Sequence, residues 1–238
     1  MNCILNEYKR GGCATCSPQC AHKIAIAGRQ KAARLPSDYA GLTLANTPVK
    51  ASQPKAYGIL NDYTATFERM FDVDAERIKS LYLYSNEPGT GKTTSASTAL
   101  NSWITQSYLG AIKRGLPPVT EPAYFLDVNE MQTEYNLATM TRDEAGLKRT
   151  AALVKRCSSV PFLVMDDIGL RGSTDSFKSL VHAIINHRTV NAMPTVYTSN
   201  VTIEDLAQVF DKRLADRVRD QCAVVAFGGE SKRGRRKS

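Results

Sequence analysis

The stretch from Ser85 to Thr94, which reads SNEPGTGKTT, constrains the fold more than any other part of the chain. It follows an apolar run, SLYLYS, over residues 80–85, and it precedes a helical pattern over residues 91–108. A glycine-containing turn that ends in G-K-T between a strand and a helix is typical of a phosphate-binding loop, because glycine lets backbone N–H groups curl around phosphate oxygens. The sequence therefore predicts a nucleotide site at the end of a buried strand.

The residues of this loop have separate predicted roles. We expect Lys92 to reach the β- and γ-phosphates of ATP and Thr93 to place its hydroxyl on Mg²⁺. Position 86 is Asn where the full pattern has glycine, and Asn tolerates left-handed backbone angles better than most residues. The predicted nucleotide-binding residues of the loop are Asn86, Glu87, Pro88, Gly89, Thr90, Gly91, Lys92, Thr93 and Thr94.

Short apolar runs alternate with helical patterns along the rest of the chain. Strands are predicted over residues 80–85, 123–128, 161–166, 194–200 and 223–227, and helices over 55–71, 91–108, 129–137, 143–157, 174–190 and 203–220. Near-continuous apolar strands separated by helices are typical of a parallel sheet that is covered by helices on both faces. The sequence thus predicts an α/β P-loop NTPase core over residues 55–238, which includes a basic C-terminal tail. Residues 35–54, rich in Pro, Ser, Thr and Lys, are interpreted as an extended connector.

The third predicted strand, PFLVMD, ends in two adjacent acids, Asp166 and Asp167. In P-loop NTPases a carboxylate at such a strand end helps to hold Mg²⁺, and a second polar group orients the attacking water. We therefore predict that Asp166 binds Mg²⁺ together with Thr93, and that Asp167 polarises the water. Asp is one methylene shorter than Glu, and a misplacement of about 1 Å can lower a rate on the order of a hundredfold. Slow, switch-like ATP hydrolysis is expected.

Four of the six cysteines fall in the first twenty residues, in the pattern C-x9-C-x2-C-x3-C-x-H. Disulfides are not expected in a reducing cytosol, whereas a short C-x2-C turn suits a tetrahedral Zn²⁺ site. Reduced thiols and a redox pair are the alternatives. Residues 1–34 are predicted to form a small zinc-binding module, in which five candidates compete for four ligand positions. These candidates are Cys3, Cys13, Cys16, Cys20 and His22.

The net charge of +8 is concentrated at the two ends of the chain. Residues 1–36 hold six basic residues against one acid, and residues 232–238 hold five basic residues and no acid. Basic ends suit contact with a polyanion such as nucleic acid, although they also solubilise a globular body. No apolar run approaches the length of a membrane span, and the N-terminal pattern is not that of a secretory signal. A cytoplasmic protein without a membrane partner is expected.

Four motifs, NEPGTGKTT, FLVMDDIG, TVYTSN and RLADRV, occur in this order and resemble those of the DnaC/DnaI-type helicase loaders of bacteria and phages. These loaders are AAA+ ATPases and are closely related to the IstB transposition ATPases. The resemblance implies that Asn200 monitors the γ-phosphate as sensor 1. It also implies that Arg217 is an arginine finger acting on a neighbouring subunit, a role that Arg213 could share. Arg233 matches an arginine that contacts the nucleotide like a sensor 2.

The resemblance further implies an ATP-dependent loader that binds a replicative DNA helicase and helps to place it on single-stranded DNA. The N-terminal module would bind the helicase. The arginine finger implies a homo-oligomer. Loaders of this branch lack the helical lid of many AAA+ proteins, so no C-terminal lid is expected here. The matching single-stranded DNA contacts would be Lys148, Arg149, Lys155 and Arg156. Two alternatives stay open at this point, an IstB-like regulator of a transposase and an ATP-switched adaptor with negligible hydrolysis. A phage or mobile-element origin is favoured over a host gene.

Overall fold

A computed structural model of the chain describes residues 19–169 and 172–231. The strands are β1 Ser80–Tyr84, β2 Ala123–Asp127, β3 Phe162–Asp166, β4 Thr195–Ser199 and β5 Cys222–Ala226. The helices are α1 Ala21–Ala32, α2 Pro54–Ala65, α3 Lys92–Lys113, α4 Val128–Thr141, α5 Glu144–Ser159, α6 Asp175–Val190, α7 Leu206–Val209 and α8 Lys212–Gln221. Single 3-10 turns cover Ser37–Tyr39 and Lys50–Ser52, and a longer one, Thr66–Phe71, extends α2.

The five strands form one sheet in the order β2-β3-β4-β1-β5, and every neighbouring pair is parallel. The predicted parallel α/β architecture is therefore confirmed. Because β4 lies between β1 and β3, the carboxyl ends of these three strands meet at one edge of the sheet. Ligands of open α/β sheets bind outside the carboxyl ends of the strands, and the phosphate loop follows β1 at this edge.

The alternation of side chains along each strand divides the core into two layers. One face of the sheet packs against α1, α2 and α3, and the other face packs against α4, α5, α6 and α8. The buried strand residues of the first layer are Leu81, Leu83, Ala123, Phe125, Phe162, Val164, Val196 and Val225. Those of the second layer are Tyr82, Tyr124, Leu126, Leu163, Met165 and Tyr197. Helices therefore cover both faces, as predicted.

Helix α1 packs against the same core as the sheet. The Nδ1 atom of His22 lies 3.1 Å from the hydroxyl of Tyr108 on α3, and Ile26 is buried in the first core layer. The carbonyl oxygen of Ala33 accepts a 2.7 Å hydrogen bond from the N–H of Phe125. The start of the predicted N-terminal module, residues 1–18, lies outside the described residues, and the division of the chain at residue 34 stays a prediction.

The segment interpreted as an extended connector is folded onto the core instead. Leu35, Leu44 and Val49 are buried among the residues of the first core layer. Two 3-10 turns, Ser37–Tyr39 and Lys50–Ser52, lie within this segment, so it is not extended throughout.

The single helix predicted over residues 203–220 is wrong, because it is divided into α7 and α8. Asp211 lies between them in an extended conformation, and its carboxylate accepts a 2.8 Å hydrogen bond from the N–H of Leu214. The same carboxylate contacts Nε2 of His182 on α6 at 3.0 Å. An N-cap of this kind begins a new helix, so the two contacts explain the break.

Across the part of the chain that the structure describes, no helix has the length and apolar character needed to cross a membrane. No helix follows β5 up to residue 231, the last one described. The expected absence of a C-terminal lid stays a prediction.

Candidate nucleotide-binding site

The loop between β1 and α3 makes a turn that depends on two glycines. Gly89 has a φ of 72° and Gly91 a φ of 103°, which are angles that residues with a Cβ rarely adopt. At Gly91 there is also no room for a side chain, since a Cβ would lie 2.5 Å from Cγ1 of Val49. Helix α3 begins directly after this turn, so its unpaired N–H groups and the positive end of its dipole lie at the loop.

Asn86 stands where the full pattern has glycine, and the predicted reason for its tolerance is wrong. The described residues other than glycine with a positive φ are Arg34, Arg142, Asp167 and Ala192, so Asn86 does not use a left-handed conformation. Its Oδ1 accepts a hydrogen bond from the hydroxyl of Tyr84. The following N–H, that of Glu87, donates to Oγ of Ser85 at 3.2 Å. Local side-chain hydrogen bonds therefore shape the entrance of the loop.

The side chain of Lys92 is buried and lies back across the loop. Its Nζ donates to Oδ1 of Asn200 at 2.7 Å and to the carbonyl oxygens of Glu87 at 3.2 Å and Ser85 at 3.4 Å. Asn200 follows β4, and β4 is the hydrogen-bonded neighbour of β1. The sheet order thus brings the predicted sensor residue onto the predicted phosphate-binding lysine, although their roles toward a nucleotide stay predictions.

Asp166 ends β3 and is held by two hydroxyl groups. Thr93 donates to its Oδ2 at 3.0 Å, and Thr198 on β4 donates to its Oδ1 at 2.6 Å. Burial raises the pKa of the Asp166 carboxyl from its ordinary 3.8 to about 6, and the two hydroxyl donors counteract part of that rise. Because burial disfavours the ionised form of Asp166, a cation bound beside the carboxylate would stabilise that form.

Asp167 has a φ of 59°, an uncommon angle that Asp adopts more readily than most residues. Its Oδ2 accepts from Nδ2 of Asn129 at 3.0 Å, and its Oδ1 accepts from Nδ2 of Asn200 at 3.3 Å. Asn200 therefore joins Lys92 to Asp167 through the two ends of one amide. The two acids are adjacent in sequence, yet they have different partners.

Thr198 and Asn129 belong to this site, and our sequence analysis did not find them. The hydroxyl of Thr198 accepts from the N–H of Asp167 at 2.9 Å while it donates to Asp166, so it fixes both acids. Asn129 lies in the first turn of α4, which Asp127 caps at the end of β2. The available signal was the polar character of residues at strand ends that share one edge of the sheet.

The oxygen atoms of Asp166 and Thr93 at this edge of the sheet are suitable ligands for a magnesium ion. Mg²⁺ prefers oxygen ligands and is usually held by one or two carboxylates together with phosphate oxygens and water. Asp166 and Thr93 supply a carboxylate and a hydroxyl side by side. Within residues 19–169 and 172–231, no group of three or more His, Cys, Asp or Glu side chains is arranged to hold a metal. The remaining ligands would therefore have to come from phosphate and water.

Arg213 and Arg217 lie on α8 and line a cavity of about 560 Å³ between α8 and α6. The other lining residues are His182, Asn186, Asp211 and Leu214. The guanidinium of Arg217 donates to Oδ1 of Asn186 on α6. Both arginines share one face of α8, as their spacing of four predicts. Arg233, the predicted sensor 2 residue, lies outside the described residues.

The predicted zinc ligands are described only in part. Cys20 precedes α1 and His22 lies in its first turn, whereas Cys3, Cys13 and Cys16 lie outside the described residues. The contact of His22 with Tyr108 occupies the Nδ1 edge of its ring. The zinc site therefore stays a prediction.

The four predicted DNA-contacting residues differ in their surroundings. Lys148 and Lys155 are exposed on α5, and Arg149 pairs with Asp143 at 3.2 Å on the surface. Arg156 is used within the fold. Its guanidinium donates to the carbonyl of Ala32 at 2.9 Å, pairs with Glu121 at 3.0 Å and lies over the ring of Tyr124. The two lysines are the better candidates for an external anion.

A parallel sheet in this order, with a loop of phosphate-binding sequence after β1, an acid at the end of β3 and an asparagine after β4, has the arrangement of a P-loop ATP-binding domain. The chain belongs to the family of IstB-like ATP-binding proteins, whose family model matches residues 86–238.

Individual relatives agree with this assignment. The chain is 23% identical over 155 residues to the replicative helicase loader DnaC of Escherichia coli (strain K12), a match that covers 65% of this chain and 56% of DnaC. It is 25% identical over 173 residues to the phage-like element PBSX protein XkdC of Bacillus subtilis (strain 168), covering 71% of this chain and 56% of XkdC. The crystal structure of DnaI superposes with a TM-score of 0.57 at 19% identity, covering 86% of this chain and 100% of the chain in that crystal structure. The chain thus spans about half the length of these two curated relatives, and the likeness to DnaI is one of fold.

Proposed function

We propose that this protein is an ATP-dependent loader that binds a replicative DNA helicase and helps to place it on single-stranded DNA. One observation carries the ATP-dependent part of this proposal. A continuous set of hydrogen bonds links Lys92 to Asn200, Asn200 to Asp167, and, through Thr198, Asp167 to Asp166. This network joins four of the five predicted catalytic groups, and the fifth, Arg217, lies on α8 and is proposed to act on the site of a neighbouring subunit.

The chemistry follows from the positions of these groups. Lys92 and the N–H groups at the start of α3 would hold the β- and γ-phosphates of ATP. Mg²⁺, bound by Thr93 and Asp166, would neutralise charge on the phosphate oxygens. Asp167 would orient the attacking water, and Asn200 would exchange its contact with Lys92 for one with the γ-phosphate. The hydrogen bonds already present between these side chains keep them within reach of one another.

Hydrolysis by this site is proposed to be slow. The side chain of Asp167 is one methylene shorter than that of Glu, and its carboxylate accepts hydrogen bonds from both Asn129 and Asn200. Engagement of the water therefore requires these contacts to rearrange, and small errors of position lower the rate strongly. Rapid multi-turnover hydrolysis by the isolated protein would contradict this proposal.

The arginine finger is proposed to act between subunits of a homo-oligomer. A mixing experiment tests this with two variants that are each defective, Asp167→Asn in the site and Arg217→Ala in the finger. We expect a mixture of the two to regain ATPase activity, because an Asp167→Asn subunit offers an intact arginine to the intact site of its neighbour. A mixture that stays as inactive as its components would refute action in trans.

The partner is proposed from the names of the relatives and from the basic ends of the chain. DnaC of Escherichia coli is named a replicative helicase loader. The Cys-rich N-terminal module, with Zn²⁺ bound by four of its five candidates, would grip the helicase, and Lys148 and Lys155 would contact single-stranded DNA. Size-exclusion chromatography with the replicative helicase of the source cell, with and without ATP, is the test. Failure to co-elute in any nucleotide state would refute the partner.

Two other functions use the same site. The family match to IstB-like proteins favours a regulator of a transposase as the second candidate. ATP-dependent filaments on double-stranded DNA in preference to single-stranded DNA would support it. An ATP-switched adaptor with negligible hydrolysis is the third candidate, and multi-turnover hydrolysis that is lost in Arg217→Ala would reject it.

A further inference from the structure

Residues 49–57, which we call the strap, pack against the phosphate loop and the start of α3. Three of its buried side chains, at intervals of four residues, contact the loop or the first turn of α3. Val49 packs on Gly91, Gln53 donates to the carbonyl oxygen of Thr90 at 3.5 Å, and the hydroxyl of Tyr57 lies 3.0 Å from Oγ of Ser95. The strap therefore contacts both the phosphate loop and the first turn of α3.

Gln53 also contacts the far end of the domain. Its Nε2 donates to the carbonyl oxygen of Gly228 at 2.6 Å, and its Oε1 accepts from the N–H of Gly228 at 3.3 Å. Gly228 lies two residues after the end of β5. A single buried amide thus uses both of its ends on one residue of the C-terminal segment and also reaches the phosphate loop.

The contact with Thr90 has a consequence for the phosphate-binding face of the loop. In a trans peptide the C=O and the following N–H point in opposite directions. A donor on the carbonyl of Thr90 therefore directs the N–H of Gly91 away from the strap. Donation also polarises the peptide unit, which strengthens the N–H as a donor. Bound phosphate at that N–H would in turn strengthen the acceptor that Gln53 contacts.

We propose that Gln53 is a positioning residue that couples the phosphate loop to the segment after β5, so that ATP binding at the loop stabilises residues 227–231. This inference rests on the nucleotide binding proposed above and adds a route by which the bound state reaches the C-terminal segment. Arg233 follows that segment closely in sequence, so the coupling would act on the chain next to a predicted nucleotide contact.

The test compares Gln53→Leu with a matched control, Gln106→Leu. The amide of Gln106 donates to a backbone carbonyl, that of Thr64 at 3.0 Å, and Gln106 lies on α3 well beyond the first turn that follows the loop. Affinity for a fluorescent ATP analogue with Mg²⁺ is measured for wild type and both variants. Amide hydrogen exchange of peptides covering residues 85–95 and 222–231 is measured with and without saturating ATP.

We expect ATP to slow exchange in both peptides of the wild type and of Gln106→Leu. In Gln53→Leu, affinity should fall about three- to tenfold, the range that one or two ordinary hydrogen bonds provide. At saturating ATP, exchange in the loop peptide of this variant should still be slowed, whereas ATP should no longer slow exchange in the peptide that covers residues 222–231. Gln53→Glu, which keeps the acceptor and loses the donor, should show the same loss and serves if the leucine variant does not fold.

The outcomes separate this inference from the proposed function. Wild-type protein that binds no ATP would refute the nucleotide site itself. Wild-type protein that binds ATP and protects only the loop peptide would refute the coupling alone. Equal loss of protection in Gln106→Leu would overturn the specific role of Gln53.

Discussion

Substitution of Thr198 by Val tests how the two acids of the site are held. The hydroxyl of Thr198 donates to Asp166 at 2.6 Å and accepts from the N–H of Asp167 at 2.9 Å. Valine has nearly the same shape and can do neither. The substitution therefore removes one of the two hydroxyl donors to a buried carboxylate and leaves the packing of β4 almost unchanged.

The expected magnitude follows from the strength of that bond. A hydrogen bond to a charged group contributes about 1.5–3 kcal/mol, and a change of one in pKa corresponds to about 1.4 kcal/mol. Burial already raises the pKa of Asp166 to about 6. Loss of the Thr198 donor would raise this pKa further, because that hydrogen bond stabilises the ionised form. At a given pH near neutrality a larger fraction of the carboxyl would then be protonated and unable to bind Mg²⁺.

The assay is the dependence of kcat/KM for Mg²⁺-ATP hydrolysis on pH. We expect the acidic limb of the profile to move upward by about 1–2 in pH in Thr198→Val, with activity largely recovered at high pH. Thr198→Ser keeps the hydroxyl and should retain the wild-type profile.

Thr105→Val provides the matched control. The hydroxyl of Thr105 is buried in α3 and, among the described residues, makes no hydrogen bond. This variant should leave the profile in place. An unmoved profile in Thr198→Val, or an equal movement in Thr105→Val, would refute the reasoning.

Three further predictions concern stability and DNA binding. Asp166→Asn should raise the free energy of unfolding of the nucleotide-free protein at pH 8 by roughly 2–3 kcal/mol, because a carboxyl whose pKa rises on folding opposes folding above that pKa. Urea titrations should show the gain fading as the pH falls from about 6 toward 4, where the wild-type carboxyl becomes protonated in the folded state, and a gain that persists there would contradict it. Arg188→Met should lower the free energy of unfolding by roughly 3 kcal/mol or more, because its buried guanidinium donates to four carbonyls and one hydroxyl that would lose their partner. Chemical denaturation checks this. An unchanged free energy of unfolding would show that the cost of burying the charge cancels the contribution of those hydrogen bonds. Replacement of Lys148 and Lys155 by Ala should lower the slope of log affinity for single-stranded DNA against log salt by about 1.4, measured by anisotropy, and an unchanged slope would exclude them as phosphate contacts.

Much of the fold could be predicted from patterns that are local in the sequence. The strand that leads into the phosphate loop, the apolar strand that ends in Asp166 and the helices between them depend on residue types within about ten positions of each other. The break before α8 was not predicted in this way. It depends on the N-cap that Asp211 provides for Leu214, a local signal that our prediction missed, and on the contact of Asp211 with His182, which belongs to a different helix.

The candidate site divides along the same line. Lys92, Thr93 and Asp166 were predicted from motifs, because phosphate and Mg²⁺ chemistry requires those residue types beside a loop of this kind. Asn200 was predicted from the family resemblance. Thr198 is an ordinary strand residue until β4 is known to lie beside β3. Only then does its hydroxyl meet both acids.

From the sequence alone we could predict the class of chemistry, the strands that carry it and the residues expected to contact a phosphate. The tertiary structure decided which of these residues meet, since the order β2-β3-β4-β1-β5 brings three strand ends to one edge. It also decided what supports them, because the strap returns to the loop and Gln53 joins Thr90 to Gly228, 175 residues away from Gln53. Hydrogen bonds of this kind depend on which residues are close in the folded chain, and the positions of those residues along the sequence do not predict this.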